Sequence, residues 1–292
     1  MSKILKKIVH KANYEVNRFY DDQILYRFYY RRAIGKRIGR PYGKRRVICS
    51  LTTIPGRLHF AVYPVLSMLC QKVRPDKVFL YLEEERFRGI ELPEELRKLP
   101  EDLFEIRYVR DVKVHTKYFY AFQEYPEDLV VTVDDDMLYS PDLIGSLLAV
   151  RESNPHAVVC SRAHRIRMDR SGTFLPYESW EWDAKSDRPD PFLLPTGVGG
   201  VLYCPSEFSF SPCQEEMFLR LAPSADDLWL KAAELKSGLP AVTLPGHHWS
   251  LIIRDSQQKS LNAVNVHQNR NDLYWGRLEQ TFGLASLLHE NA

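Results

Sequence analysis

The chain has 292 residues, of which 45% are hydrophobic and 27% charged. That balance excludes a disordered, collagen-like or coiled-coil protein, and the length suffices for a full apolar core without disulfides. The formal net charge of +2 hides a split: residues 1–46 carry 14 Lys/Arg against Glu15, Asp21 and Asp22, which leaves +11 there and −9 on the remainder.

Such a split describes a basic arm, 1–46, on a mildly acidic body, 47–292. In the arm Ile4, Leu5, Ile8 and Val9 recur at helical spacing, and 24–32 mixes aromatics with cations. A helix of this kind suits an anionic membrane surface, or packs its aromatics on the body and leaves its cations in water. The basic start is not followed by a signal-peptide apolar run, and no stretch of about 18 apolar residues exists. A cytoplasmic protein is expected, with the arm as a peripheral contact to the inner face of the cytoplasmic membrane.

From residue 47 the pattern alternates. Strands are predicted at 47–51, 77–82, 104–109 and 129–133, and helices at 58–72, 94–99 and 116–125 between them. Near-continuous apolar strands separated by helices predict a mixed, mostly parallel α/β sheet flanked by helices on both faces. Further on, 158–161 and 198–203 read as strands, 225–237 and 272–288 as helices, and 169–195 as a long functional loop. The five cysteines (49, 70, 160, 204, 213) are odd in number and fit no zinc spacing, so free thiols in a reducing compartment are expected.

The sharpest feature is Asp134-Asp135-Asp136, directly after the apolar run 129–133. Adjacent carboxylates raise one another's proton affinity unless a cation compensates. Oxygen donors one residue apart suit Mg²⁺ or Mn²⁺, usually completed by substrate phosphates. Alternatively the triplet is a solvated turn before a helix starting at Ser140-Pro141-Asp142. Thr52-Thr53-Ile54-Pro55-Gly56-Arg57 closes the first strand, and Arg57 suits a phosphate or serves as a surface cation of a Pro-Gly turn. Gly197, Gly199 and Gly200 admit close approach of backbone to a ligand, or a bulge entering a strand. Ser224-x-x-Asp227 reads as a capping box, and Asp226 and Asp227 favour a helix N-terminus.

A strand followed by Asp-x-Asp and a Pro-Asp-Leu helix start resembles the nucleotide-sugar glycosyltransferases of the GT-A fold, of the family 2-like type that builds bacterial surface polysaccharide. Three more segments match in order: 50–57, 195–203 and 225–231. The resemblance runs from about 47 to about 285 and implies a GT-A-like (Rossmann-like) sheet. It implies that Asp134 and Asp135 contact the donor nucleotide, and that Asp134 and Asp136 hold Mn²⁺ or Mg²⁺. His267 would be a third metal ligand, with His247 the next choice. Thr52, Thr53, Arg57, Glu83 (or Glu84) and Lys117 would line the nucleotide, with Gly197, Gly199 and Gly200 between donor and acceptor. Asp227, or else Asp226, would be the general base of an inverting transfer.

The implied activity is a metal-dependent, hexosyltransferase-like transfer from a nucleotide-diphosphate sugar, UDP first among the bases, to a glycan or lipid-linked hydroxyl in polysaccharide or lipopolysaccharide synthesis. Tyr177, Trp180 and Trp182 lie where aromatics could stack on acceptor rings or form a small packed cluster. Three rival readings are a sugar-phosphate nucleotidyltransferase, a metal-dependent hydrolase, and a non-catalytic protein whose arm binds membrane or nucleic acid. The first needs a Gly-rich basic loop after the first strand, which 52–57 is not. Nucleic acid is not expected, because the arm carries no reading motif and would not explain the acidic triplet.

Overall fold

The computed structural model describes residues 31, 39–246, 250–253, 256 and 269–291. Most of the arm and His267 lie outside these residues. The last part of the segment 1–46 is tied to the body: Arg46 pairs with Asp128, Lys44 with Glu152, and Arg45 donates to the Glu127 carbonyl. No helix among the described residues is long and apolar enough to cross a membrane.

Seven strands form the central sheet: β1 (Val47–Thr52), β2 (Lys77–Glu83), β3 (Phe104–Val109), β4 (Leu129–Thr132), β6 (Val158–Cys160), β10 (Val201–Tyr203) and β11 (Ala241–Thr243). Their order is β11-β6-β10-β4-β1-β2-β3. All neighbouring pairs are parallel except those made by β10, which runs antiparallel to β4 and β6. The mixed, mostly parallel sheet expected from the sequence is therefore present. Its buried residues alternate between two cores, which is why the strands read as continuous apolar runs. Val47, Cys49, Leu51, Leu80 and Val131 face α1 (Val62–Leu69) and α3 (Leu143–Ser153). Ile48, Phe79 and Val130 face α2 (Thr116–Glu124), α5 (Asp226–Lys236), α6 (Arg270–Phe282) and α7 (Leu284–Glu290).

Outside the central sheet, β5 (Met137–Tyr139) pairs with β12 (Ser250–Ile252), and α4 (Glu215–Leu221) precedes α5. Two expectations are corrected. The span 169–195 is not one long loop: β8 (Glu181–Ala184) and β9 (Leu193–Pro195) flank β7 (Ala163–Arg165) in a three-stranded antiparallel sheet. The last helix is two helices, because Gly283 adopts φ 65°, a left-handed conformation that terminates α6. No cysteine is disulfide-bonded, and all but Cys213 are buried.

This topology decides which segments meet. Parallel β1, β2 and β4 send their carboxyl ends, at Thr52-Thr53, Glu83 and Asp134, to one edge of the sheet. Antiparallel β10 brings its amino end to that same edge, with Val201 paired to Thr132. Gly197–Gly200 is thus delivered beside the aspartate triplet although more than 60 residues separate them in sequence.

Candidate functional site

At this edge five carboxylates gather around two cations. Lys117, at the first turn of α2, is buried, and its Nζ lies 2.7 Å from Asp134 Oδ1 and 2.7 Å from Asp226 Oδ2. Burial alone would lower the Lys117 pKa, but Asp134, Asp226 and Asp227 outweigh it and hold the ammonium charged. Arg57 is the second cation. Its guanidinium pairs with Asp135, with Nε 3.0 Å from Oδ2, and lies 3.4 Å from Asp136 Oδ2. Thr53 Oγ1 donates to Asp135 as well. Arg57 therefore organises the triplet rather than projecting from a surface turn.

The aspartates differ in what they hold. Asp135 is 4% exposed and locked by Thr53 and Arg57. Asp134 is the most accessible of the triplet, with its side chain 28% exposed, and its backbone N–H donates to Tyr139 Oη at 2.8 Å. Asp226 Oδ2 is buried and close to Lys117, at an angle that makes an ion pair and no hydrogen bond.

Asp227 Oδ1 accepts the Gly197 N–H at 3.1 Å. Burial, and then the neighbouring Asp226 charge, push its pKa up to about 8, while Lys117 pulls the other way. The capping box is not formed. Ser224 Oγ hydrogen-bonds with Tyr274 Oη, Ala225 occupies the N-cap with no side-chain cap, and Asp227 turns toward Gly197. A residue whose carboxylate is buried next to others instead of capping its own helix is held by tertiary contacts at a cost that capping would avoid.

The three glycines separate into two roles. A Cβ on Gly197 would lie 2.5 Å from Lys117 Nζ, 3.2 Å from Asp134 Oδ1 and 3.3 Å from Asp227 Oδ1, so Gly197 faces the carboxylates directly. Gly199 backs onto Ser161 and Arg162, and Gly200, at φ 86°, onto Leu143. Both serve the packing of the turn into β10.

Of the remaining sequence candidates, Thr52 Oγ1 is spent on the Tyr81 carbonyl at 2.9 Å. Glu83 turns inward and pairs with Arg86 at 3.4 Å, whereas Glu84 is exposed. Neither glutamate has a contact with the aspartates among those described. His247 and His267 fall outside the described residues. Tyr139 was reachable only through the fold, since nothing in the run Met137–Tyr139 marks a tyrosine that braces Asp134. Asp227 was a sequence candidate, and the fold adds its Gly197 partner.

Among the described residues no three Asp, Glu, His or Cys side chains are arranged to hold a metal ion. Asp134 and Asp136 lean on Lys117 and Arg57 respectively. The chemistry of the donor set nonetheless suits a hard divalent cation. It is all oxygen, it carries five potential negative charges against two positive ones, and one buried oxygen, Asp226 Oδ2, has no hydrogen bond. A separate cavity of about 520 Å³ lies between the 173–178 segment and α6. It is lined by Phe174, Pro176, Asp272 and Trp275 among others and contains none of the sequence-predicted site residues.

No family model and no curated protein matches the chain. Among solved structures, it is similar to the mannosyltransferase PcManGT from Pyrobaculum calidifontis in complex with GDP-Man and Mn²⁺. The match has 13% identity and a TM-score of 0.45, covering 91% of this chain and 80% of that one.

Proposed function

We propose that residues 47–292 form a nucleotide-sugar-dependent glycosyltransferase that uses a divalent cation, Mn²⁺ or Mg²⁺. The observation that carries the reading is the gathering of Asp134–Asp136 and Asp226-Asp227, some 90 residues apart, around two cations, Lys117 and Arg57, at the carboxyl edge of a mostly parallel sheet, with Lys117 bridging Asp134 to Asp226. Ligands of open α/β sheets bind beyond that edge. An excess of buried carboxylate costs stability unless a cationic or phosphate-bearing cation complex completes it.

Asp134 and Asp136 would hold the cation, which would supply positive charge to the departing nucleoside diphosphate. Asp135, clamped by Thr53 and Arg57, keeps the triplet's backbone in place at the end of β4. Gly197 leaves room for a sugar to approach Asp134 and Asp227 together. In the transfer, the acceptor hydroxyl oxygen attacks the anomeric carbon as the bond from that carbon to the diphosphate oxygen breaks. Asp227 takes the hydroxyl proton, and the configuration inverts. With its pKa raised to about 8, Asp227 is mainly protonated at neutral pH. A cation held by Asp134 and Asp136 would offset part of the surrounding negative charge, lower that pKa and free the carboxylate to accept the proton. The acceptor is a glycan or lipid-linked hydroxyl of surface polysaccharide or lipopolysaccharide assembly, and the basic arm would bring the body to an anionic membrane.

Thermal unfolding in the presence of UDP, GDP, CMP or ADP, each with and without Mn²⁺, tests this. A ligand at 100 times its Kd stabilises by about 2.7 kcal/mol, which corresponds to a rise of several degrees. One nucleoside diphosphate is expected to give a metal-dependent rise that Asp136→Asn removes. No rise with any of them refutes the donor site.

A further inference from the structure

Beside the carboxylates the fold presents an aromatic face that the donor reading does not use. In the β7–β8 pair, Glu181 stands opposite Arg165 and Ala184 opposite Ala163. Trp182 and Asp183 therefore both oppose the single residue His164, which is a β-bulge. Asp183 adopts φ 55°, a left-handed conformation costly for a non-glycine residue. Bulges re-aim side chains, and this one leaves Trp182 42% exposed.

The ring is backed rather than free. Its centroid lies 4.6 Å from that of buried His164 and 6.1 Å from that of Tyr177, which meets it edge-on. His164 Nδ1 accepts the Asp183 N–H at 3.3 Å. Burial, and then the Arg162 charge, lower the His164 pKa to about 4, so the backing ring is neutral at physiological pH. Trp182 thus offers one flat, uncharged, fixed face to solvent.

Hydrogen bonds join this face to the carboxylate cluster. Arg162 Nε donates to Asp183, and Arg162 Nη1 donates to Thr196 Oγ1 at 3.3 Å. The Arg162 carbonyl accepts the Thr196 N–H at 3.0 Å, and the next residue, Gly197, donates to Asp227. One guanidinium therefore fixes the bulge that carries Trp182 to the turn whose Gly197 N–H holds the proposed base, Asp227.

We propose that Trp182, flanked by Arg162 and Asp183, is the acceptor subsite and binds the acceptor as a pyranose ring, its apolar face on the indole and its hydroxyls toward the Arg162–Asp183 pair. The chemistry selects this occupant. A lipid chain would be served by an apolar groove, which a single ring framed by a guanidinium and a carboxylate is not. A pyranose offers one C–H face and a rim of hydroxyls, matching a flat aromatic with a donor and an acceptor at its edge. The assignment rests on the glycosyltransferase reading, since it is the link through Arg162, Thr196 and Gly197 to Asp227 that makes the bound sugar an acceptor.

The test uses the full chain labelled with 5-fluorotryptophan, the Trp182 resonance being identified by its loss in Trp182→Phe. Methyl glycosides of glucose, galactose and mannose are titrated, with sorbitol as the hydroxylated control that has no ring face. Nucleoside diphosphate with Mn²⁺ is followed in parallel by thermal unfolding of wild type and Trp182→Ala. The expected result is a saturable shift of the Trp182 resonance with at least one pyranoside and none with sorbitol. Trp182→Ala, tested for the same glycoside by saturation-transfer difference, binds it about tenfold more weakly and keeps its nucleotide-dependent stabilisation.

If no pyranoside moves the Trp182 resonance, or sorbitol moves it equally, the subsite is refuted while a retained nucleotide shift leaves the donor reading standing. Loss of the nucleotide shift in Trp182→Ala places Trp182 in the donor site and also overturns the proposal. Should wild type show no nucleotide shift at all, the donor reading fails, and the acceptor assignment falls with it even where a pyranoside binds.

Discussion

Lys117→Met is the most informative single perturbation. It keeps the length and the apolar stem but removes the one cation that bridges the two aspartate segments. At an effective dielectric of about 20, each contact at 2.7 Å contributes on the order of 6 kcal/mol of Coulomb attraction. Desolvating the ammonium and two carboxylates consumes much of that, and removing one partner of a buried pair typically costs about 3–5 kcal/mol. At about 2 °C or somewhat more per kcal/mol for a chain of this size, the melting temperature in EDTA should fall by roughly 6–12 °C. Neutralising the stranded carboxylates in Lys117→Met/Asp134→Asn/Asp226→Asn should recover most of the loss, because the penalty lies in unpaired buried charge rather than in packing. Differential scanning calorimetry on the three proteins decides the matter. A Lys117→Met melt within a degree of wild type, or a triple variant no better than the single, refutes the view that Lys117 holds the cluster together.

Gly197→Ala should destabilise by about 1–3 kcal/mol and abolish transfer, because the new methyl meets an ammonium already clamped between Asp134 and Asp226; the melting temperature and a donor-dependent assay read both effects. Asp227→Asn should change how stability depends on pH. A carboxylate raised from 3.8 to about 8 in the folded state stabilises fully below pH 4, and that contribution is lost as pH climbs toward 8. In EDTA the wild-type melting temperature should therefore fall more steeply than the variant's between pH 4 and 8, whereas parallel curves would contradict the assignment. Within α5, Lys231 and Glu234 form a fully buried pair at 3.1 Å, with Glu234 Oε1 unpartnered. Lys231→Met alone should cost about 3–5 kcal/mol, and Lys231→Met/Glu234→Leu should be neutral or stabilising, as read by urea denaturation.

The central sheet was legible because its strands are buried on both faces. The runs at 47–51, 77–82 and 129–133 are apolar at nearly every position, a pattern that local sequence reveals without tertiary knowledge. The peripheral sheet was not, for the opposite reason. Glu181–Ala184 has three exposed residues out of four, and β7 and β9 are three residues each, too short to show alternation. Nor does periodicity disclose that β10 enters antiparallel between β4 and β6, and that insertion alone sets Gly197 beside Asp134.

The site shows the same division at the level of single side chains. The Asp triplet stood out because three carboxylates after an apolar strand are costly and therefore informative. Arg57 is legible in the sequence as a phosphate-binding candidate, but its carboxylate partners are not, and the phosphate role competes in this structure with Asp135 and Asp136. The capping-box reading of Ser224 and Asp227 fails in an instructive way. Ser-x-x-Asp at a helix start is a sound capping signal, and a free peptide would use it. Here Ser224 is taken by Tyr274, and the Gly197 N–H and Lys117 draw Asp227 inward. A capping carboxylate in water would keep an ordinary pKa and gain about 1 kcal/mol; this one is buried, carries a raised pKa and gives up that gain. The discrepancy between the cheap local solution and the costly observed one separates Asp227 from the other helix-start acids, such as Glu215 and Glu216 of α4, which remain at the protein surface.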